Sequence, residues 1–142
     1  MGKYKWVLQA VIFNSLRRQF RRSPMYLECV KRAKREVKVK GKTKDNIRRV
    51  KFLCNICGDL YDRKEIACDH IAPVIPVEGL PITGGLPDFN VYISRLFCPV
   101  ENLQMVCKTC HSAKSKLENK QRKELRDAKR PKEEVSGDNG RK

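Results

Sequence analysis

Two cysteine pairs of identical spacing constrain this chain more than any other feature: Cys54 and Cys57 in "CNIC", and Cys107 and Cys110 in "CKTC". Two residues between cysteines form a tight turn that points both sulfurs at one cation, and two such turns complete a tetrahedral four-sulfur site. The spacing predicts a structural Zn2+ on Cys54, Cys57, Cys107 and Cys110; redox dithiols are the other reading that such pairs allow. Forty-nine residues separate Cys57 from Cys107, against the roughly 15–20 of a simple zinc ribbon. The metal would therefore clamp the two ends of a long excursion. A site closed by cysteines has no open coordination position, so this zinc cannot activate water, and any hydrolysis needs another metal ion. Cys29, Cys68 and Cys98 are left over and are expected as small buried apolar residues. Seven cysteines, an odd number, also argue against a fully paired disulfide framework.

Charge divides the chain into three parts. Residues 1–51 hold 17 Lys/Arg against 3 Asp/Glu, a net of +14; residues 52–111 hold 4 against 7, a net of −3; residues 112–142 hold 11 against 6, a net of +5. A slightly acidic middle is flanked by basic arms, which suit phosphate backbones. A surface charged for solubility is the plainer alternative. At 142 residues the chain suits one domain with extensions. It has no run of about 18 apolar residues and no signal-peptide pattern. The expectation is a chain that is not secreted and works in a reducing compartment.

Helical periodicity through Trp6, Ala10, Phe13 and Phe20 predicts a first helix over roughly residues 5–22. Ser23 and Pro24 read as a cap and a first-position proline, opening a second helix to about residue 37. "KVKGKTKDNIRR" reads as a mobile linker. A strand, the first cysteine pair and a second strand ending near His70 follow. Next come a proline- and glycine-rich loop, a helix over "DFNVYISRLF", a strand over "ENLQMVC" and a last helix that stops before Pro131. The division is a basic helical arm and linker (1–50), a zinc-bearing domain (51–130) and a disordered tail (131–142).

The chain has two histidines. His70 follows Asp69 in "ACDH", and His111 directly follows Cys110, so the cysteine clamp should bring their segments together. "DHIAPV" and "ENLQMVCKTCHSAKS" together resemble the HNH endonucleases, in particular small phage-type members with a four-cysteine zinc. The signature letters fall on His70, Asn102 and His111, and the resemblance covers residues 51–120. "VYISRLFC" before the asparagine and the basic N-terminal helix with a Trp near its start are similar to phage-encoded members. The resemblance implies an α+β fold: a ββα-metal finger core with four-cysteine zinc knuckles, preceded by the basic arm. It implies a metal-dependent DNA endonuclease of the bacterial host cytoplasm, leaving 5′-phosphate and 3′-hydroxyl ends. In this chain the excursion between His70 and Asn102 is long and carries its own predicted helix.

On that resemblance Asp69 and His111 hold a catalytic divalent ion, Mg2+, Mn2+ or a softer one. His70, an imidazole that is neutral near pH 7, is the candidate general base. Asn102 is expected to hold the loop bearing His70, its alternative being an ordinary turn residue. Lys114, one helical turn after His111, could bind phosphate or be simply solvated, as could Arg95. Arg17, Arg18, Arg21, Arg22, Lys31, Arg32, Lys34 and Arg35 in the arm are expected to contact DNA phosphates, which position an enzyme without reading sequence. The competing expectation is a zinc-stabilised nucleic-acid-binding or DNA-packaging accessory protein, working with a protein partner.

Overall fold

The computed structural model describes residues 7–41 and 46–130. Trp6, part of the expected linker and the C-terminal tail lie outside them. Helix α1 spans Leu8–Phe20 and α2 spans Pro24–Ala33. Ser23 Oγ accepts from the Tyr26 backbone N–H at 3.3 Å, and Pro24 occupies the first turn, where no N–H is needed.

The second helix ends at Ala33 rather than near residue 37, because the pattern changes period there. Val37 and Val39 are half-buried, whereas Glu36, Lys38 and Lys40 are exposed, an alternation of two that suits a strand. Strand β1 (Lys34–Lys40) pairs antiparallel with β2 (Asn46–Leu53), with Lys34 opposite Phe52 and Lys40 opposite Asn46. The expected mobile linker is thus largely a β-ribbon, and Lys34 and Arg35 lie on a strand.

Strand β3 (Leu60–Tyr61) extends that sheet beside the end of β2. Strand β4 (Ile66–His70) follows; β5 (Ile82–Thr83) and β6 (Leu86–Pro87) form a small hairpin within the excursion. Helix α3 (Phe89–Leu96) is capped by Asp88, whose carboxylate accepts from the Asn90 and Val91 amides. Strand β7 (Leu103–Cys107) pairs antiparallel with β4, placing Asp69 opposite Gln104 and His70 opposite Leu103. It leads straight into α4 (Lys108–Ala128).

One core joins these elements. Phe20, Cys29 and Ala33 from the first two helices pack with Phe52, Tyr92, Leu96, Met105 and Val106. Phe13 lies 4.2 Å from the Tyr92 ring, and Arg17 Nε donates to the Tyr92 hydroxyl at 3.0 Å. Burying a side chain such as Phe20 contributes about 1.5–3 kcal/mol, so the basic helices are built onto the core. The protein is therefore a mixed α+β fold of helices and small sheets. Among the described residues, no helix is long and apolar enough to cross a membrane.

Candidate metal centre and the adjoining cleft

The Cys54 knuckle is closed by Gly58, which holds φ at +79° and donates its N–H to the Cys54 carbonyl at 2.9 Å. A left-handed φ of this kind favours glycine. Asn55 ties the knuckle to β7: its N–H donates to the Met105 carbonyl at 2.8 Å, and its side-chain oxygen accepts from the Met105 N–H at 3.3 Å. The second knuckle turns from β7 into α4, with Cys107 as the helix cap. As a result the sulfurs of Cys54, Cys57, Cys107 and Cys110 all lie within 4.8 Å of one another. A tetrahedral ion with Zn–S of about 2.3 Å needs sulfurs about 3.8 Å apart, so the four thiols fit a structural zinc.

Backbone amides already point at these sulfurs: Cys107 N–H donates to Cys54 Sγ at 3.3 Å and Cys110 N–H to Cys107 Sγ at 3.4 Å. Burial pushes the Cys54 thiol up, but amides of Cys107, Cys57 and Ile56 outweigh it and bring it down to about 6. Such N–H groups support thiolate ligands. Tyr61 Oη sits 3.4 Å from Cys57 Sγ.

Beside this centre, β4, α1, α3 and α4 wall a cleft of about 570 Å³ that contains Asp69, His70 and His111. Adjacent residues on a strand point to opposite faces. Asp69 accordingly turns towards Gln104 and α4, and His70 towards α1 and α3. Gln104 Nε2 donates to Asp69 Oδ2 at 3.0 Å, and Asp69 Oδ1 lies 3.7 Å from His111 Nε2. His70 is 9% exposed, with the Phe20 ring 5.0 Å away. Its Nε2 sits 2.9 Å from the Leu96 carbonyl. A carbonyl only accepts, so Nε2 carries the proton and the neutral ring keeps its lone pair on Nδ1.

Burial lowers the His70 pKa below its ordinary value, against the Leu96 carbonyl and Asp69, which raise it. The unfolded chain therefore binds a proton at His70 that the folded chain does not. Stability falls as pH drops from about 6.5 towards the lowered value, since the slope of unfolding free energy with pH is positive there. Urea midpoints measured between pH 7 and pH 5 should show this slope, and His70→Asn should flatten it.

Asn102 braces the chain just beyond His70. Its Oδ1 accepts from the Ala72 N–H at 2.9 Å, its Nδ2 donates to the Ala72 carbonyl at 3.4 Å, and its own carbonyl accepts from Ile71 at 2.8 Å. Asn102→Ala should lower stability by about 1 kcal/mol and raise hydrogen exchange at Ala72 in particular. Unchanged exchange there would remove the bracing role.

Lys114 does not present a free ammonium. It donates to the His70 carbonyl at 2.8 Å, to Asp69 Oδ2 at 3.1 Å and to Glu118. Three acceptors use all three N–H bonds; in this arrangement a phosphate would have to displace one of them. Arg95 likewise staples the loop, donating to the Pro73 carbonyl at 2.7 Å and to Val74 at 3.0 Å. Arg17 and Arg21 line the cleft, whereas Arg18, Arg22, Lys31 and Lys34 lie on the exposed surface. Arg32 pairs with Glu28 and Glu101, and Arg35 donates to the Arg32 and Lys34 carbonyls.

Sequence patterning places Phe20 on a helix face without its contact to His70, and does not mark Gln104, Glu118, Arg122 or the Leu96 carbonyl as parts of the site. Glu118 was accessible as the i+4 partner of Lys114. Arg122, which donates to the Ile75 carbonyl at 2.9 Å, lies one further turn along the same face. Gln104 faces Asp69 only through the strand register, and the Leu96 carbonyl belongs to the backbone of a distant helix.

Fold and site together define an α+β protein with four cysteines positioned to bind a metal ion. No protein-family model, curated protein or solved structure matches the chain.

Proposed function

We propose that the protein is a metal-dependent DNA endonuclease of the HNH class, with β4, β7 and α4 as its ββα-metal finger and the four-cysteine zinc as a structural brace. The observation that carries this reading is the juxtaposition of Asp69 and His111, 3.7 Å apart, in the cleft that also holds a buried, tautomerically defined His70. Two ligands about 2.0–2.2 Å from one cation lie about 3–4 Å apart, so Asp69 and His111 fit one divalent ion, Mg2+ or Mn2+. When bound, that ion supplies Lewis-acid stabilisation of the negative charge that builds on the phosphate and leaving oxygens.

The chain's own residues do the rest. His70 takes a proton from the attacking water at Nδ1 as the water oxygen bonds to phosphorus; the bond to the 3′ oxygen breaks, and that oxygen takes a proton from solvent water to leave as the 3′ hydroxyl. The Leu96 carbonyl holds the ring and shares the positive charge that develops on it. Phe20 keeps water off one side of the imidazole. Arg17 and Arg21 offer positive charge along the cleft wall for the DNA backbone. Asn102 fixes the turn after His70.

A second reading, a zinc-braced DNA-binding protein without hydrolysis, is favoured by one observation: Lys114 already neutralises Asp69 at 3.1 Å. Zinc-loaded protein incubated with supercoiled plasmid and Mg2+, Mn2+ or no added metal separates the two. One site per chain predicts a nicked circle first, in the metal-containing reactions alone. Tight duplex binding with no nicking in any metal would select the second reading.

A further inference from the structure

We propose that the β1–β2 ribbon is a separate DNA-contacting element that lies in the major groove of duplex DNA. Lys38 stands directly opposite Arg48, and Arg35 directly opposite Lys51. Like charges facing each other across a ladder destabilise it, and a two-stranded ribbon has little stability to lose. Lys51 is answered by Asp62 at 2.9 Å, and Arg48 only by Glu36 at 3.9 Å, between side chains 78% and 64% exposed. For Lys38, Lys40 and Arg49 the described residues hold no ion pair within 4 Å. The folded chain thus keeps an arrangement that is unfavourable in water and favourable against a polyanion.

Shape agrees with charge. Two strands about 4.8 Å apart fit a groove about 12 Å wide, which admits a two-stranded ribbon. Seven residues in β1 extend about 23 Å. Val50, 43% exposed on the face that carries Lys38 and Arg48, offers apolar atoms of the kind that meet thymine methyl groups, whereas Ile47 lies on the opposite face. Protection of an open sheet edge explains a lysine on β1; it does not explain a lysine placed against an arginine.

The inference rests on the DNA-binding half of the proposed function and not on hydrolysis. Its test is duplex affinity against KCl concentration for the wild-type chain and Lys38→Gln/Arg48→Gln. Each lost phosphate contact removes about 0.9 from the slope of log affinity on log salt. The double variant should therefore lose about 2 from that slope, with a melting midpoint no lower than wild type. Methylation of guanine N7, which faces the major groove, should interfere with wild-type binding and less with the variant's.

A slope equal to wild type, or a variant that unfolds, overturns the assignment. So does an equal loss in Lys120→Gln/Lys123→Gln, which removes the same charge from α4. Absence of interference at N7 overturns the groove placement, and preference for anionic vesicles over duplex overturns the partner. A wild-type chain that binds with the predicted ribbon dependence but never nicks plasmid supports the ribbon while sinking the endonuclease.

Discussion

His70→Ala should lose plasmid nicking by a factor on the order of 10²–10⁴, the usual contribution of a general base, while duplex affinity changes less than about threefold. The side chain is buried against Phe20, with Nε2 on the Leu96 carbonyl, so it is poorly placed to hold DNA and well placed to receive one proton at Nδ1. Alanine also leaves the Leu96 carbonyl without its partner, so a loss of rate alone could reflect collapse of the cleft. The pH profile distinguishes the two. Burial lowers the His70 pKa, so the wild-type rate should hold below pH 6.5 before its acid limb begins. Phe20→Leu removes part of the cover without touching the imidazole. It should move that limb upward towards the ordinary histidine value near 6.5 and leave an active enzyme. An acid limb that ignores Phe20 would take the role of base away from His70.

The parts of this architecture that sequence carries plainly are those written in local chemistry. Cys-x-x-Cys pairs, the Ser23–Pro24 helix start and the 3.6-residue stripes all depend on neighbours a few positions away. The β1–β2 ribbon was legible too, since Val37 and Val39 alternate with charged residues. It was hidden because "KVKGKTKDNIRR" is so basic that composition argued for a solvated linker, and composition says little about backbone pairing when period two is present. The environment of Asp69 and His70 is a different case. Gln104 meets Asp69 through a register set 35 positions away, and Leu96 meets His70 across 26. Those partners are chosen by how the excursion folds back, which no short pattern encodes. Lys114 is the clearest instance. Its position one turn after His111 suggests a phosphate ligand, whereas the helix lays it across Asp69, Glu118 and the His70 carbonyl.

Removal of the metal from the four cysteines should unfold the chain rather than merely inactivate it. Apparent binding free energies of structural zinc are about 10–16 kcal/mol, and a whole domain has about 5–15 kcal/mol of net stability. Here the ion would join residues 54–57 to residues 107–110, and both ends bear on the core. Cys54 and Cys107 are 0% and 2% exposed, Asn55 is bonded to β7, and Cys110 immediately precedes His111. Without metal, four thiols within 4.8 Å lose the charge that makes deprotonated sulfur favourable there, and the first turn of α4 loses its anchor. A strong chelator should therefore melt the far-ultraviolet circular dichroism signal of the helices and release one zinc per chain, with recovery on Zn2+ and none on Mg2+. Cys57→Ser should fall short of one zinc per chain and melt well below wild type. Cys29→Ala, which alters a buried cysteine outside the cluster, should keep one zinc and lose only about 1–2 kcal/mol. If a metal-free chain melts as the loaded one does, and Cys54 and Cys57 exchange reversibly between thiol and disulfide, the two pairs are redox dithiols. The long excursion must then be held by the core alone.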